Sequence, residues 1–322
     1  MFILLNIKMG IKLLSSFIKS YCKDIVVQKH LSCFYGKTIV IDTSIYMYRY
    51  KRENALIEKM YLLCTIFNYY KINAIFVFDG KMPEEKYKTI LARKEERIQS
   101  NIRLKEIEQI IANMDANSNL HNKYKKDIVE LKKKMVKINN KDTANVKNII
   151  KYTGLTCIVA EGEAEQLCAE LVINKLAFGC LSEDTDLFVY SCPHIFRYIS
   201  LVNHKLIFYD TKKMLNHLFL TKQEFNTICL LSGNDYYCGN KNIYYYYKMM
   251  MKYKKYVNGD ISFIDWLKEK NILTVDILED FNNNLKMYKV NKLDPSKYKF
   301  KKTEVDFEKL KEVLIQDGFL FP

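Results

Sequence analysis

Seven acidic side chains in this 322-residue sequence stand out by where they fall. Asp42 and Asp79 directly follow the short apolar runs Thr38-Ile39-Val40-Ile41 and Ala74-Ile75-Phe76-Val77-Phe78. Glu163 and Glu165 come after Thr156-Cys157-Ile158-Val159, Asp184 and Asp186 after Ala177-Phe178-Gly179-Cys180-Leu181, and Asp235 ends Cys229-Leu230-Leu231-Ser232-Gly233-Asn234-Asp235. Any one of them could be a helix cap or first-turn acid. Together they pose a different problem, because carboxylates crowded in a partly desolvated cleft cannot all ionise without a compensating cation. All-oxygen ligand sets select hard ions such as Mg2+ or Mn2+. With this many acids two ions are expected, and a pair roughly 4 Å apart clamps a phosphodiester, activating water on one side and stabilising the departing oxygen on the other.

Spacing restricts how these acids can share a site. Residues two apart on a helix point to different faces, so Glu163 and Glu165 converge only if Glu163 lies at or before the helix start, which Gly162 permits. Asp184 and Asp186 are also two apart, a spacing that suits an extended segment.

The elements that must carry these residues alternate. Strands are expected at 38–41, 74–78, 156–159 and 177–181, with helices between them, then a hairpin of 194–201 and 206–209 around Val202-Asn203-His204-Lys205. This order predicts an α/β fold, a mostly parallel central sheet with helices on both faces, and such sheets bind ligands at the carboxyl ends of their strands. Residues 81–141 interrupt the alternation. They carry 16 Lys and Arg against 9 Asp and Glu, and a helical rhythm (Ile98, Ile102, Ile107, Ile110, Ile111, Met114) that breaks over Asn113 to Asn122 and resumes at Ile128, Leu131, Met135 and Ile138. That pattern predicts an inserted helical arch with a basic face, solvated or in contact with nucleic acid. The C-terminal third, with the aromatic and basic segment Tyr244 to Lys255 and a last helix around Phe307, Leu310, Val313 and Leu314, is helical.

Composition sets the outer bounds. Apolar residues make up 49% of the chain, enough for a large core, and no apolar run approaches the ~18 residues of a membrane span. A pI near 9.1 points to a polyanionic partner, although abundant Lys, Asn, Ile and Tyr also match an AT-biased coding sequence. The nine cysteines form no Cys-x-x-Cys pair, which favours a reducing, non-secreted setting with neither a disulfide framework nor a zinc site.

The motifs together resemble the flap endonuclease family of structure-specific 5′ nucleases, with a PIN-like fold, from Met9 to about Asp317. Met9-Gly10-Ile11 is similar to the family's N-terminus. Val40-Ile41-Asp42-Thr43-Ser44, Val77-Phe78-Asp79-Gly80, Glu163-Ala164-Glu165 with Cys168-Ala169, Glu183-Asp184-Thr185-Asp186 and Leu231-Ser232-Gly233-Asn234-Asp235-Tyr236 resemble its metal-binding segments. The resemblance implies Asp42, Asp79, Glu163 and Glu165 chiefly around one Mg2+ and Asp184, Asp186 and Asp235 around the other, with Mn2+ able to substitute. It also implies that Lys86 and Arg93 engage the scissile phosphate, that Arg97 extends their face, that Tyr48 stacks on a substrate base, and that Gly10 lies against the nucleic acid. Glu161 and Glu183 fall off the matched positions and read as flanking charge.

The resemblance divides the chain into an N-terminal extension (1–8), a first part of the nuclease core (9–80), the basic arch (81–141), the acidic part of the core (142–235) and a helical C-terminal region (236–322). In that last region Lys241-Asn242-Ile243-Tyr244 replaces a helix-hairpin whose two glycines would hold a duplex phosphate. The implied activity is cleavage of branched or flapped DNA in replication, repair or recombination, by a monomer in the nucleus or at a cytoplasmic replication site. Gln316 to Phe321 lacks the spacing of a sliding-clamp peptide. The alternatives are a related nuclease acting on RNA ends or four-way junctions, and a non-catalytic DNA-binding scaffold.

Overall fold

Strands β2 (Thr38–Asp42) and β3 (Asn73–Phe78) are apolar almost throughout because both of their faces are covered. Successive side chains of a strand point to opposite faces. Accordingly Ile39, Ile41, Ala74, Phe76 and Phe78 join one core cluster and Val40, Ile75 and Val77 the other. The computed structural model describes residues 10–81, 87–112, 119–234, 239, 241–256, 261–298, 300 and 302–321, with the backbone alone at 87–90, 93 and 119.

Adding β1 (Val27–His30), β4 (Thr156–Val159), β5 (Gly179–Leu181), β6 (His194–Ser200) and β7 (Lys205–Asp210) gives a seven-stranded sheet in the order β1-β7-β6-β5-β2-β3-β4. From β4 to β6 the pairings are parallel, while β6–β7 and β7–β1 are antiparallel. The chain runs from β2 outward to β3 and β4, then returns to β5 on the other side of β2, so the topology switches direction between β2 and β5. The expected strands are present. The one not foreseen is β1, whose sequence Val-Gln-Lys-His carries a single aliphatic residue because it lies at the sheet edge, half exposed.

One face of the sheet is covered by α2 (Thr43–Arg52), α3 (Leu56–Tyr69) and α6 (Asn140–Tyr152), which supply Tyr46, Tyr50, Met60, Phe67, Val146 and Ile149 to its core. The other face receives α1 (Leu14–Tyr21), α7 (Ala164–Ile173), α8 (Asp186–Val189), α9 (Thr211–His217) and α10 (Lys222–Ser232). Between the two halves of the core stands the arch, α4 (Tyr87–Ala112) against α5 (Asn119–Lys134), bridged by Glu96 to Lys134 at 3.2 Å and Glu108 to Lys132 at 3.7 Å. Leu104 and Ile107 are its buried apolar residues among those described, whereas Ile98 and Ile102 are nearly half exposed, so the apolar rhythm of α4 is only partly a packing stripe. Met114 lies outside the described residues.

The C-terminal region adds α11 (Ile243–Tyr256), α12 (Phe263–Glu269) and α13 (Val275–Met287) on the α10 side. Its last helix, α14 (Phe307–Gln316), packs elsewhere: Leu310, Val313 and Leu314 enter the opposite core beside α6. Thr303 and Asp306 lead into it by donating backbone hydrogen bonds to Gly154 and Tyr152.

Candidate metal centre and nucleic-acid interface

The strand ends at the switch point carry the acids. Asp42 ends β2 and is buried, and the Ser182 hydroxyl, just past β5, donates to its Oδ2 at 2.9 Å while accepting from the Asp184 amide at 3.1 Å. The Asp186 amide in turn donates to Asp184 Oδ1 at 3.0 Å. Asp79, exposed just past β3, accepts from Ser44 Oγ at 2.5 Å and from the Ala164 amide at 2.9 Å. Asp79 therefore serves the first turn of α7 from across the sheet, taking up an amide that has no partner within the helix.

Glu163 occupies the position before α7, with an extended backbone (φ −82°, ψ 139°), and Glu165 lies in its first turn, buried. The spacing condition on this pair is thus met by a helix that starts between them. Glu165, Asp184 and Asp186 each offer an oxygen within 4.8 Å of the others, all three buried. Glu165 consequently stands with Asp184 and Asp186, on the side of the site that the family resemblance gives chiefly to the second ion. Three buried carboxylates this close are a natural set of hard oxygen donors, and a hard divalent cation would find its donor atoms already in place. Asp235 and Lys86 lie outside the described residues, as does the side chain of Arg93.

Two glycines let the chain approach this centre. Gly10 sits at φ +72°, and a Cβ there would lie 2.3 Å from Thr185 Oγ1, 2.4 Å from Asp184 Oδ1 and 2.7 Å from Asp186 Oδ1. The next residues fix the segment: the Ile11 amide donates to Thr185 Oγ1 at 2.8 Å and the Lys12 amide to the Gly233 carbonyl at 3.0 Å. Gly80 carries the ladder past β3 by donating to the Gly162 carbonyl, and a Cβ there would lie 1.8 Å from the Ala160 oxygen.

Some supporting residues carried no signal in the sequence. Glu183, read there as flanking charge, is only 14% exposed; its Oε1 accepts the Tyr198 amide at 2.9 Å and faces Arg49 Nη1 at 3.4 Å. Burial raises its carboxyl pKa, and Arg197 and Arg49 oppose that rise. Tyr198 lies at an irregularity of β6 with φ +56°, which turns its amide out of the ladder toward Glu183. Buried Arg197 donates to the Glu183 carbonyl at 2.6 Å and to Ser15 Oγ at 3.0 Å, tying α1 to the acidic loop. Tyr288, about a hundred residues downstream of that loop, donates its hydroxyl to Asp186 Oδ2 at 2.6 Å. Burial, then Asp186, push its pKa well above the tyrosine range and keep it a donor. Only the strand alternation of β6 and the helical rhythm of α13 could have hinted that these residues face inward.

Toward solvent, Tyr48 is 37% exposed, on the side of α2 opposite the buried Tyr46 and Tyr50. Arg97 lies half-buried on α4. At the altered hairpin, Asn242 Oδ1 accepts the Tyr245 amide at 3.2 Å, so Asn242 caps α11 with its own side chain. Lys248, Lys252 and Lys255 recur at helical spacing on an exposed stripe of α11, whereas Lys254 is engaged by the Phe219 carbonyl and Glu224.

The sequence matches the XPG N-terminal domain over residues 9–100 and the XPG I-region over residues 154–235. A probable RAD2-like endonuclease of Invertebrate iridescent virus 6 is 30% identical over 286 residues, which cover 73% of this chain and 68% of that one. Flap endonuclease 1 of Theileria parva is 28% identical over 89% of this chain and 60% of its own length. Against further flap endonucleases the chain spans less than two thirds of the relative's length, 52% for that of Cryptosporidium muris and 62% for that of Zea mays. Among solved structures, the catalytic core of Rad2 in complex with DNA substrate aligns with a TM-score of 0.66 at 19% identity over 94% of both chains. Human GEN1 in complex with Holliday junction DNA aligns with a TM-score of 0.60 at 13% identity, over 95% of this chain and 73% of that one. These structural likenesses establish a mixed α/β, PIN-like fold. The chain belongs to the flap endonuclease family, the XPG/Rad2 group of 5′ nucleases.

Proposed function

We propose that this chain hydrolyses DNA phosphodiesters at flaps or branches, leaving a 5′-phosphate and a 3′-hydroxyl. The observation that carries this reading is the trio Glu165, Asp184 and Asp186, buried within 4.8 Å of one another at the switch point of the sheet. Glu165, Asp184 and Asp186, with Asp235, would hold one Mg2+, and Asp42, Asp79 and Glu163 the other, with Mn2+ substituting. When bound, such ions supply an activated water and charge stabilisation at the leaving oxygen.

The chain's own residues bring the substrate to that place. Lys86 and Arg93 meet the scissile phosphate, where positive charge stabilises the transition state, and Arg97 continues their face. Tyr48 offers its exposed ring to an unpaired base, a contact tolerant of sequence. Gly10, whose missing side chain makes room for Thr185, Asp184 and Asp186, would bring its backbone against the nucleic acid beside the acids. Lys248, Lys252 and Lys255 hold duplex phosphates electrostatically, since Asn242 already uses the first-turn amide that a glycine hairpin would leave open. The protein would act as a monomer, in the nucleus or at a cytoplasmic replication site, in replication, repair or recombination.

End-labelled flap DNA, flap RNA and a four-way junction, each with Mg2+ and with chelator, test this reading. The wild type should cut flap DNA only with Mg2+, and Asp184→Ala should be slower by about 10²-fold or more, at least the loss typical of a supporting partner. Preference for RNA or for the junction would move the substrate class. If the wild type cuts none of the three with Mg2+, the DNA-binding scaffold is the correct reading.

A further inference from the structure

We propose that Tyr288 is a positioning residue for Asp186, brought to that carboxylate by a strap, residues 288–293, which α7 holds along one of its faces. The inference rests on the metal-dependent reading of the acidic trio and assigns it a partner from the C-terminal region.

The contact is fixed at both ends of the phenol oxygen. Its proton goes to Asp186 Oδ2 at 2.6 Å, and its lone pair accepts Asn234 Nδ2 at 3.2 Å. The ring is buried against Tyr190, with centroids 5.1 Å apart. With Oδ2 engaged on this side, Asp186 Oδ1 lies toward Gly10, as does Asp184 Oδ1: a Cβ on Gly10 would stand 2.7 Å from the former and 2.4 Å from the latter. The phenol thus decides which oxygen of Asp186 turns toward Gly10.

The strap explains how a residue at the end of α13 reaches this place. Gln166 and Glu170 on α7 and Asn174 at its C-cap are four apart and line one face. Gln166 Nε2 donates to the Lys289 carbonyl at 3.3 Å. Glu170 Oε1, on a buried side chain, accepts both the amide and the Nδ2 of Asn291, at 2.9 and 2.8 Å. Asn174 donates to the Asn291 carbonyl at 3.1 Å and accepts the Leu293 amide at 3.3 Å. The helix that carries Glu165 in its first turn therefore also fixes the segment that orients Asp186. Partners that orient a metal-binding carboxylate are typically worth about 10–100-fold in metal affinity or activity.

The test uses the full chain with Tyr288→Phe, which keeps the ring and removes the hydroxyl. Mn2+ affinity is measured by electron paramagnetic resonance without DNA, alongside kcat and KM for flap DNA in Mg2+ and thermal melting. The variant should melt cooperatively, bind Mn2+ about 10-fold more weakly and lose kcat about 10-fold or more with KM unchanged. Mn2+ affinity within twofold of the wild type overturns the proposal. Should the variant fail to melt cooperatively, Asn291→Ala takes its place, because it loosens the strap without removing any atom of the acidic trio, and the same direction of change is required. A wild type that binds Mn2+ but cuts nothing refutes the nuclease reading and still leaves Tyr288 to be judged by affinity. A wild type that cuts, with a variant indistinguishable from it, refutes the positioning role alone.

Discussion

Gly10 is constrained by its backbone and by its neighbours at once: φ is +72°, and the space a side chain would fill holds Thr185, Asp184 and Asp186. Gly10→Ala should therefore cost about 1–3 kcal/mol in urea unfolding and reduce flap cutting more than flap binding, because the added methyl pushes on two carboxylates of the trio. Unchanged cutting would mean that these carboxylates are not where catalysis occurs. At this scale the sequence carried the placement of Asp42 and Asp79 well, since an apolar run ending in Asp marks the carboxyl end of a buried strand. It did not carry their partners. The proximity of Glu165 to Asp184 depends on β5 lying beside β2, and the burial of Glu183 depends on an irregularity in β6 that no local pattern announces.

Among the elements, α10 and α11 show how a local motif and a long-range contact share one side chain. Thr221 and Glu224 form a capping box at the start of α10, and the same Glu224 accepts Lys254 Nζ from α11 at 2.9 Å. Partial burial pushes the Glu224 carboxyl up, but Thr221 and Lys254 outweigh it, so its pKa falls below the ordinary 4.5. A depressed folded-state pKa stabilises above the unfolded value and ceases to do so as pH falls through the folded one. Glu224→Gln should lower stability at pH 7 by no more than about 1 kcal/mol, since the group is partly exposed, and the difference from wild type should vanish as the pH drops well below 4.5. Urea titrations at both pH values check this, and a gap that persists in acid would assign it to packing. The Thr-x-x-Glu box is visible in the sequence, as were most strands and the arch. The edge strand β1 was not, because Val27 and Gln28 are exposed there, Lys29 lays its ammonium over the Phe208 ring, and the pairing with β7 supplies what an apolar run does not.

For the molecule as a whole, the α/β class and the basic insertion followed from alternation and charge, whereas the path of the last sixty residues did not, because rhythm shows that a helix has an apolar face without showing which core receives it. The chain leaves the nuclease core after α10, builds α11 to α13, and comes back: the strap crosses α7, the backbone of Thr303 meets Gly154, and α14 settles beside α6. A Cβ on Gly154, itself at φ +77°, would stand 2.4 Å from the Thr303 oxygen, so that return is closely fitted. Topologically the α11–α13 region is a closed loop and not a tail. Closing a long loop costs chain entropy that grows only slowly with length, so cutting it should relieve little and release nothing. A protease site inserted between α12 and α13, once cleaved, should give two fragments on a denaturing gel that still elute together in native gel filtration; separation of the fragments would show that the α14 anchorage is weak. Such a loop cannot swing away from the acids when nucleic acid arrives. Any adjustment of that loop has to occur between its two anchored ends, one of which is the strap whose first residue, Tyr288, donates to Asp186.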